Sequence, residues 1–379
     1  MTEAIAGLAA PPRPADRGNP MLDPLLERLV ELGGTDLLIT VGASPTGRVD
    51  GDLQSLVEMK LTPAQTEAFV MSLVNEKQKA DLLRDRDVDF SINWQNKARL
   101  RVNAFYQRGS LAAALRLLPY EIPSPASLGV PPVVMSWAEA HHGLVLVTGA
   151  TGSGKSTTLA ALVAKVNQER PVHIITIEDP IEYVHRHGSA IVEQREIGVD
   201  ATGFARALRA AMRENPDVIL VGEMRDLETI QIAITAAETG HLVLGTLHAN
   251  DTPQTIDRIV DVFPPEQQSL IKIQLSNALV GILSQQLLPK VGGGRVASHE
   301  VLVATPAVRN LIREGKTSQI RNVIQTSGGA GMQTLEKSLN QLVAAGKITR
   351  ELALARAANP LEIDAVLPGQ PAGAGLRGR

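Results

Sequence analysis

A chain of 379 residues with 44% hydrophobic side chains is long enough for two domains with cores of their own, and its lack of cysteine excludes disulfides, thiol catalysis and cysteine-ligated zinc. The formal net charge of −3 gives no electrostatic reason for a nucleic-acid or membrane-surface partner, and aromatic residues at 3% leave little for base stacking. No apolar run reaches the length of a membrane span and the start lacks a charged-then-apolar secretory pattern, so a soluble cytoplasmic protein with no direct membrane insertion is expected.

Residues 1–20, rich in Ala, Pro, Arg and Gly and without periodicity, read as a disordered leader. Leu22, Leu25, Leu26, Leu29 and Val30 recur at helical spacing, and Gly33-Gly34 end that helix. Short strand-like pieces follow at 36–41 and 48–50. Residues 62–84 predict one or two helices opened by Thr62 as N-cap with Pro63 in the first turn. Residues 88–94, 98–106 and 111–118 alternate as antiparallel strands should, which completes a small α+β domain over 21–118. A proline-containing linker over 119–132 leads to a second domain over 133–358. Its nearly all-apolar runs, 144–148, 173–177, 218–221 and 242–246, suit parallel strands covered on both faces. Helical stretches at 155–167, 203–214 and 226–239 alternate with them, which predicts a doubly wound α/β domain. Residues 264–358 read as mostly helical, with segments at 264–288, 306–314, 317–326, 332–344 and 349–357, and 359–379 as a flexible tail.

The strongest motif is Gly149-Ala150-Thr151-Gly152-Ser153-Gly154-Lys155-Ser156-Thr157, which has the spacing G-x-x-x-x-G-K-[ST] between an apolar run and a helical stretch. Glycines there let successive backbone N–H groups turn inward on phosphate oxygens, and the following helix aims its positive end at the same point. Lys155 can reach the β and γ phosphates of ATP, and the Ser156 hydroxyl can ligate Mg²⁺. A plain glycine-rich turn is the bland alternative; the strand before and helix after argue against it.

Carboxylates end two of the later strands. Glu178, Asp179 and Glu182 follow the second apolar run, and Glu223 follows the third. In a doubly wound sheet the carboxyl ends of the strands face the ligand, and a nucleotide hydrolase needs one acid beside Mg²⁺ and one group to orient or deprotonate water. Solvated acidic turns are the alternative. Glu223 stands where such a strand usually ends in Asp. The fourth run is flanked by His241 and His248; nothing nearby completes a zinc set, and His248 is the better γ-phosphate sensor. Arg101, Arg116, Arg195, Arg209 and Arg213 lie in apolar, folded stretches, where any one could meet transition-state charge or make an ordinary ion pair.

Together these stretches resemble the retraction ATPases of type IV pili, the PilT family of secretion ATPases. The matching segments include VTGATGSGKSTTLAALV, ITIEDPIEY, the run from ALRAAMRENPDVILVGEMRDLETI to GTLHAND, TPAVRNLIREGK and GMQTLEKSL. The resemblance implies a PAS-like first domain before a RecA-like core, and a homohexamer with ATP and Mg²⁺ between subunits. It implies that Glu182 is the catalytic base, that Glu223 supports the metal, and that Lys155 and His248 act on phosphate. Arg101 and Arg116 would reach phosphate on domain closure, and Val308–Glu314 would serve retraction in the cell. An inner-membrane platform protein of the pilus machine is the implied partner. Ala150 departs from the usual Pro, and the turn after His248 reads more like an assembly ATPase. An accessory retraction ATPase and a pilus-assembly or type II secretion ATPase are the alternatives, though the latter carries a cysteine-rich metal-binding insert. Further off stand a DNA-translocating ring and a non-hydrolysing nucleotide sensor.

Overall fold

The computed structural model describes residues 19–49, 51–95, 97–118 and 121–364, so most of the expected leader and tail lies outside the described residues. The chain divides into two units. The first takes residues up to 121 together with 182–184, and the second takes 122–181 and everything from 185 onward.

In the first unit, α1 (Asp23–Glu31) buries Leu25, Leu26 and Leu29, the stripe expected from their spacing. Three short strands follow, β1 (Asp36–Ile39), β2 (Thr46–Val49) and β3 (Asp52–Ser55); the last, all exposed, carries no apolar signal and is not legible in the sequence. Helices α2 (Pro63–Leu73) and α3 (Glu76–Asp85) each open on a capping box, Thr62 with Gln65 and Asn75 with Gln78, which explains the break inside the stretch 62–84. Long strands β4 (Asp87–Trp94), β5 (Ala98–Gln107) and β6 (Ser110–Leu118) complete a sheet of order β3-β2-β1-β6-β5-β4. Every pairing in it is antiparallel. Leu26, Leu29, Phe69, Leu82, Leu100 and Leu115 join in one core between the helices and the sheet. This is the α+β, PAS-like domain expected.

The second unit starts inside the stretch expected to be a linker. Helix α4 (Pro125–Leu128) precedes Val130, and α5 (Pro132–Ser136) leads to Trp137. Val130, Val134 and Trp137 are buried in a core with Val145 and Leu162, so this proline-containing stretch is fixed by apolar burial and is not a free tether. The next elements are β7 (Gly143–Thr148), α6 (Lys155–Glu169), β8 (His173–Glu178), β9 (Ile191–Glu196), α7 (Phe204–Ala211), β10 (Val218–Val221), α8 (Leu227–Glu238) and β11 (Leu242–Leu247). Then come α9 (Thr252–Asp261), α10 (Pro265–Ala278), β12 (Leu279–Pro289), β13 (Arg295–Val303) and α11 (Pro306–Glu314). The last helices are α12 (Ile320–Thr326), α13 (Leu335–Ala344) and α14 (Arg350–Arg356). The sheet order is β13-β12-β7-β11-β10-β8-β9, parallel throughout except for the antiparallel edge strand β13. Alternate residues serve opposite faces. Leu144, Leu146, Ile219 and Val221 pack into the core under α7 to α10, while Val145, Val147, Val218 and Leu220 pack into the core under α6. The RecA-like α/β architecture is as expected.

Two expectations fail in this unit. The helix expected over 264–288 ends at Ala278, and Leu279–Pro289 is a strand beside β7, with β13 in the stretch between the expected helices. Leu279, Ile282 and Leu283 have helical spacing, but they are also a short apolar run of the kind that a buried strand uses. Tertiary packing decides: a β-carbon on Gly281 would stand 2.3 Å from the Trp137 ring, so this backbone is pressed against an aromatic side chain. The second failure is at 359, where a flexible tail was expected. Pro360–Glu362 forms a 3-10 turn, and Ile363 is buried in a small core with Leu288, Leu335, Leu339 and Ile348.

Candidate active site

The sheet register lines up the carboxyl ends of four parallel strands. Thr148 of β7 pairs with Leu247 of β11, Gly245 of β11 with Val221 of β10, and Val221 with Ile177 of β8. The phosphate loop, His248, Glu223 and Glu178 therefore leave the sheet along one edge.

The loop between β7 and α6 is built as its spacing predicts. Gly149, Gly152 and Gly154 have φ of +144°, +78° and +89°, in the region that favours glycine. At Gly149 the conformation coincides with close approach, because a β-carbon would lie 2.3 Å from the carbonyl oxygen of Gln285. Helix α6 opens on Gly154 with no side-chain cap, so its first N–H groups face the loop cradle. The Ser153 hydroxyl is buried without a hydrogen-bond partner among the described residues. Lys155 Nζ donates to the carbonyl oxygens of Gly149 and Ala150, each at 3.0 Å, which holds the ammonium over the loop. Uncapped helix amides, an orphan hydroxyl and a fixed ammonium fit a polyphosphate. Ala150 is exposed and contributes its carbonyl, so a backbone cradle survives without the usual Pro. Ser156 and Thr157, in the first turn of α6, are half-buried.

Glu223 lies beyond β10 with its side chain 18% exposed. His248 Nε2 stands 3.0 Å from its Oε1, and Arg225 Nη2 donates to its Oε2 at 2.6 Å. Burial pushes the carboxyl up, but Arg225, His248 and Lys155 together outweigh that and hold it below the usual carboxylate range. The group is an anion at neutral pH, within the electrostatic reach of Lys155. Arg258 on α9 donates to the His248 carbonyl oxygen, fixing the turn that carries the imidazole. Glu223, Arg225, His248 and Arg258 line one cavity of about 340 Å³, and Gly149–Ser153, Asn250, Gln285 and Arg356 line another of about 400 Å³. Among the described residues no group of three or more His, Cys, Asp or Glu side chains could hold a metal alone. Ser156 and Glu223 are the residues that would hold a Mg²⁺ together with a bound nucleotide, which requires no such group.

Glu178, at the end of β8, shares this sheet edge. Glu178 accepts from the Thr176 hydroxyl at 2.6 Å and from Gln194 Nε2 at 3.1 Å. Glu182 is exposed, in the segment 182–184 that groups with the first unit. His241 precedes β11 at the opposite end from His248; its Nδ1 is 3.0 Å from the Ala236 carbonyl oxygen. A six-residue strand of about 20 Å separates the two histidines, so the sheet does not bring them together within one chain. Arg101 and Arg116 are exposed cross-strand partners on one face of the first unit's sheet, and Arg116 Nε donates to Asp36 at 2.8 Å. Arg195 pairs with Glu214 and Arg209 with Glu228. Arg225, Arg258 and Gln285 are the residues that the sequence reading missed. Arg225 could have been found as the cation two places after a strand-end acid; Gln285 lies in the stretch misread as helix.

Residues 48–293 match the family model of type II/IV secretion system proteins. The type IV pilus retraction ATPase PilT of Pseudomonas aeruginosa is 48% identical over 336 residues, 89% of this chain and 98% of that protein. The chain belongs to the PilT family of type II/IV secretion ATPases. The type IV pilus ATPase PilU of the same organism is 42% identical over 342 residues, 89% of this chain and 90% of PilU. A crystal structure of the pilus retraction motor PilT with bound ADP superposes with a TM-score of 0.85 at 50% identity, covering 89% of this chain and 97% of that one. Like its family, the chain is a P-loop ATPase. Among the described residues no helix is long and apolar enough to cross a membrane.

Proposed function

We propose that this chain is the motor that hydrolyses ATP to retract type IV pili and so drives twitching motility. The observation that carries the reading is the convergence of the phosphate loop, Lys155 and an ionised Glu223 at one sheet edge, in a chain that spans nearly the whole length of a retraction ATPase. Lys155 and the loop amides hold the β and γ phosphates and meet the charge that develops between them. Ser156 and Glu223 would hold a Mg²⁺, which would supply positive charge against the phosphates. His248, fixed by Glu223 and Arg258, reports the γ-phosphate. Glu182 deprotonates the attacking water, and Arg101 and Arg116 supply positive charge from the first unit when the site closes. The working form is a homohexamer in the cytoplasm, docked on an inner-membrane platform protein.

The accessory paralogue is the second reading, supported by 42% identity to PilU over a similar length. Expression in a twitching-deficient strain that lacks its retraction ATPase separates the two. The motor reading expects twitching zones to return with the wild-type chain and not with Lys155→Ala; restoration that requires the resident retraction ATPase would identify the accessory form.

A further inference from the structure

The geometry points to Gln285 as a positioning residue that sets the shape of the phosphate loop and hence the affinity for polyphosphate. This rests on the reading of that loop as the nucleotide site. Parallel pairing of Ser284 with Thr148 puts Gln285 one step further along β12, level with Gly149, where β7 gives way to the loop. Gln285 is 3% exposed, and its side chain reaches the end of the loop and the start of α6. Its Nε2 donates to the Ser153 carbonyl oxygen at 2.6 Å, and its Oε1 accepts from the Thr158 hydroxyl at 2.8 Å. One partner is an obligate acceptor and the other acts as a donor, so only one orientation of the amide satisfies both. The same residue accounts for two of the loop glycines: a β-carbon on Gly149 would lie 2.3 Å from the Gln285 carbonyl oxygen, and one on Gly154 would lie 2.8 Å from Nε2.

The consequence is directional. With the Ser153 carbonyl drawn toward β12, the amides on either side of it are held in the orientation that phosphate needs. Without Gln285 the loop must be ordered at the moment of binding, and that ordering entropy weakens every ligand that uses the loop. Glutamate in this place has no donor for the Ser153 carbonyl and brings an anion toward the phosphates.

The test measures the affinity of folded Gln285→Met and Gln285→Glu for Mg-ADP and for inorganic tripolyphosphate, with steady-state ATPase kinetics. A positioning role predicts that both ligands weaken by the same factor, about tenfold for Met and more for Glu, while KM for ATP rises and kcat at saturation changes less than about threefold. A residue that merely fills space would lower the melting temperature without that matched loss or the KM-against-kcat split. Thr158→Val, which removes only the hydroxyl partner, is expected to weaken both ligands several-fold and decides the matter alone if the Gln285 variants do not fold. Unchanged affinity in Gln285→Met, or in Thr158→Val where that stands alone, overturns the inference, as does a loss for ADP but not for tripolyphosphate. Failure of the wild-type chain to bind Mg-ADP would instead overturn the nucleotide site itself.

Discussion

At the scale of single residues, Lys155 and Glu223 have separable tasks. If Lys155 neutralises charge that grows between the β and γ phosphates, as proposed, Lys155→Ala in a folded protein is expected to lower ATP turnover at least about 100-fold, checked by a coupled phosphate-release assay. Glu223 is kept ionised by Arg225, His248 and Lys155 against the pull of burial, as its proposed role beside Mg²⁺ requires. Glu223→Gln should therefore stop turnover and raise the Mg²⁺ concentration needed for half-maximal nucleotide binding about tenfold. Glu182→Gln should stop turnover with Mg-nucleotide affinity intact, because a base acts on water and not on metal. If the two variants share one Mg²⁺ dependence, the division of roles is wrong. The phosphate loop was legible because its chemistry is local: glycine conformations, a lysine and a hydroxyl at fixed spacing. Gln285 was not, because a glutamine in an apolar stretch acquires meaning only when strand pairing brings it beside a loop more than a hundred residues away in the chain.

Elements show the same division. The strands β7, β8, β10 and β11 announce themselves as apolar runs because both of their faces are covered, and α2 announces its start through Thr62. β12 does not, since helical and strand patterns coincide over its first residues and packing on Trp137 decides between them. Gly281→Ala places a β-carbon 2.3 Å from that ring, and is expected to lower unfolding free energy by about 2 kcal/mol in urea melts, whereas an alanine at half-buried, non-clashing Gly203 should not. His299, buried, and His185, half-buried, add a pH dependence. Desolvation pushes His185 and His299 down to about 4, below the ordinary 6.5. Above 6.5 both states leave them neutral and they contribute nothing; below it the unfolded chain takes up protons that the folded chain refuses. Stability should fall as pH drops from 6.5 toward 4, by about 2 kcal/mol per histidine at pH 5. Urea melts at pH 7.5 and 5 should show this, and His299→Gln should remove about half of the difference.

For the whole molecule, the arginines matter most. Arg101 and Arg116 stand side by side on an exposed sheet face of one unit, where Arg116 donates to Asp36, and under the proposed function their guanidinium charge serves an anion from outside the domain. The family resemblance, not spacing, singled these two residues out among several arginines; the cross-strand pairing that sets them together was not visible in the sequence. Identical subunits meeting head to tail close into a ring, and a site completed by a second folded unit makes hydrolysis depend on movement. Arg101→Ala and Arg116→Ala should therefore assemble normally and lose turnover about 10² to 10³-fold in at least one case, followed by light scattering and phosphate release. The central claim is that ATP turnover belongs to coupled subunits, and mixing wild-type with Lys155→Ala chains at rising ratio tests it most directly. Coupled sites lose activity faster than the wild-type fraction falls. Activity that falls in strict proportion to that fraction would mean independent sites, and would contradict the motor.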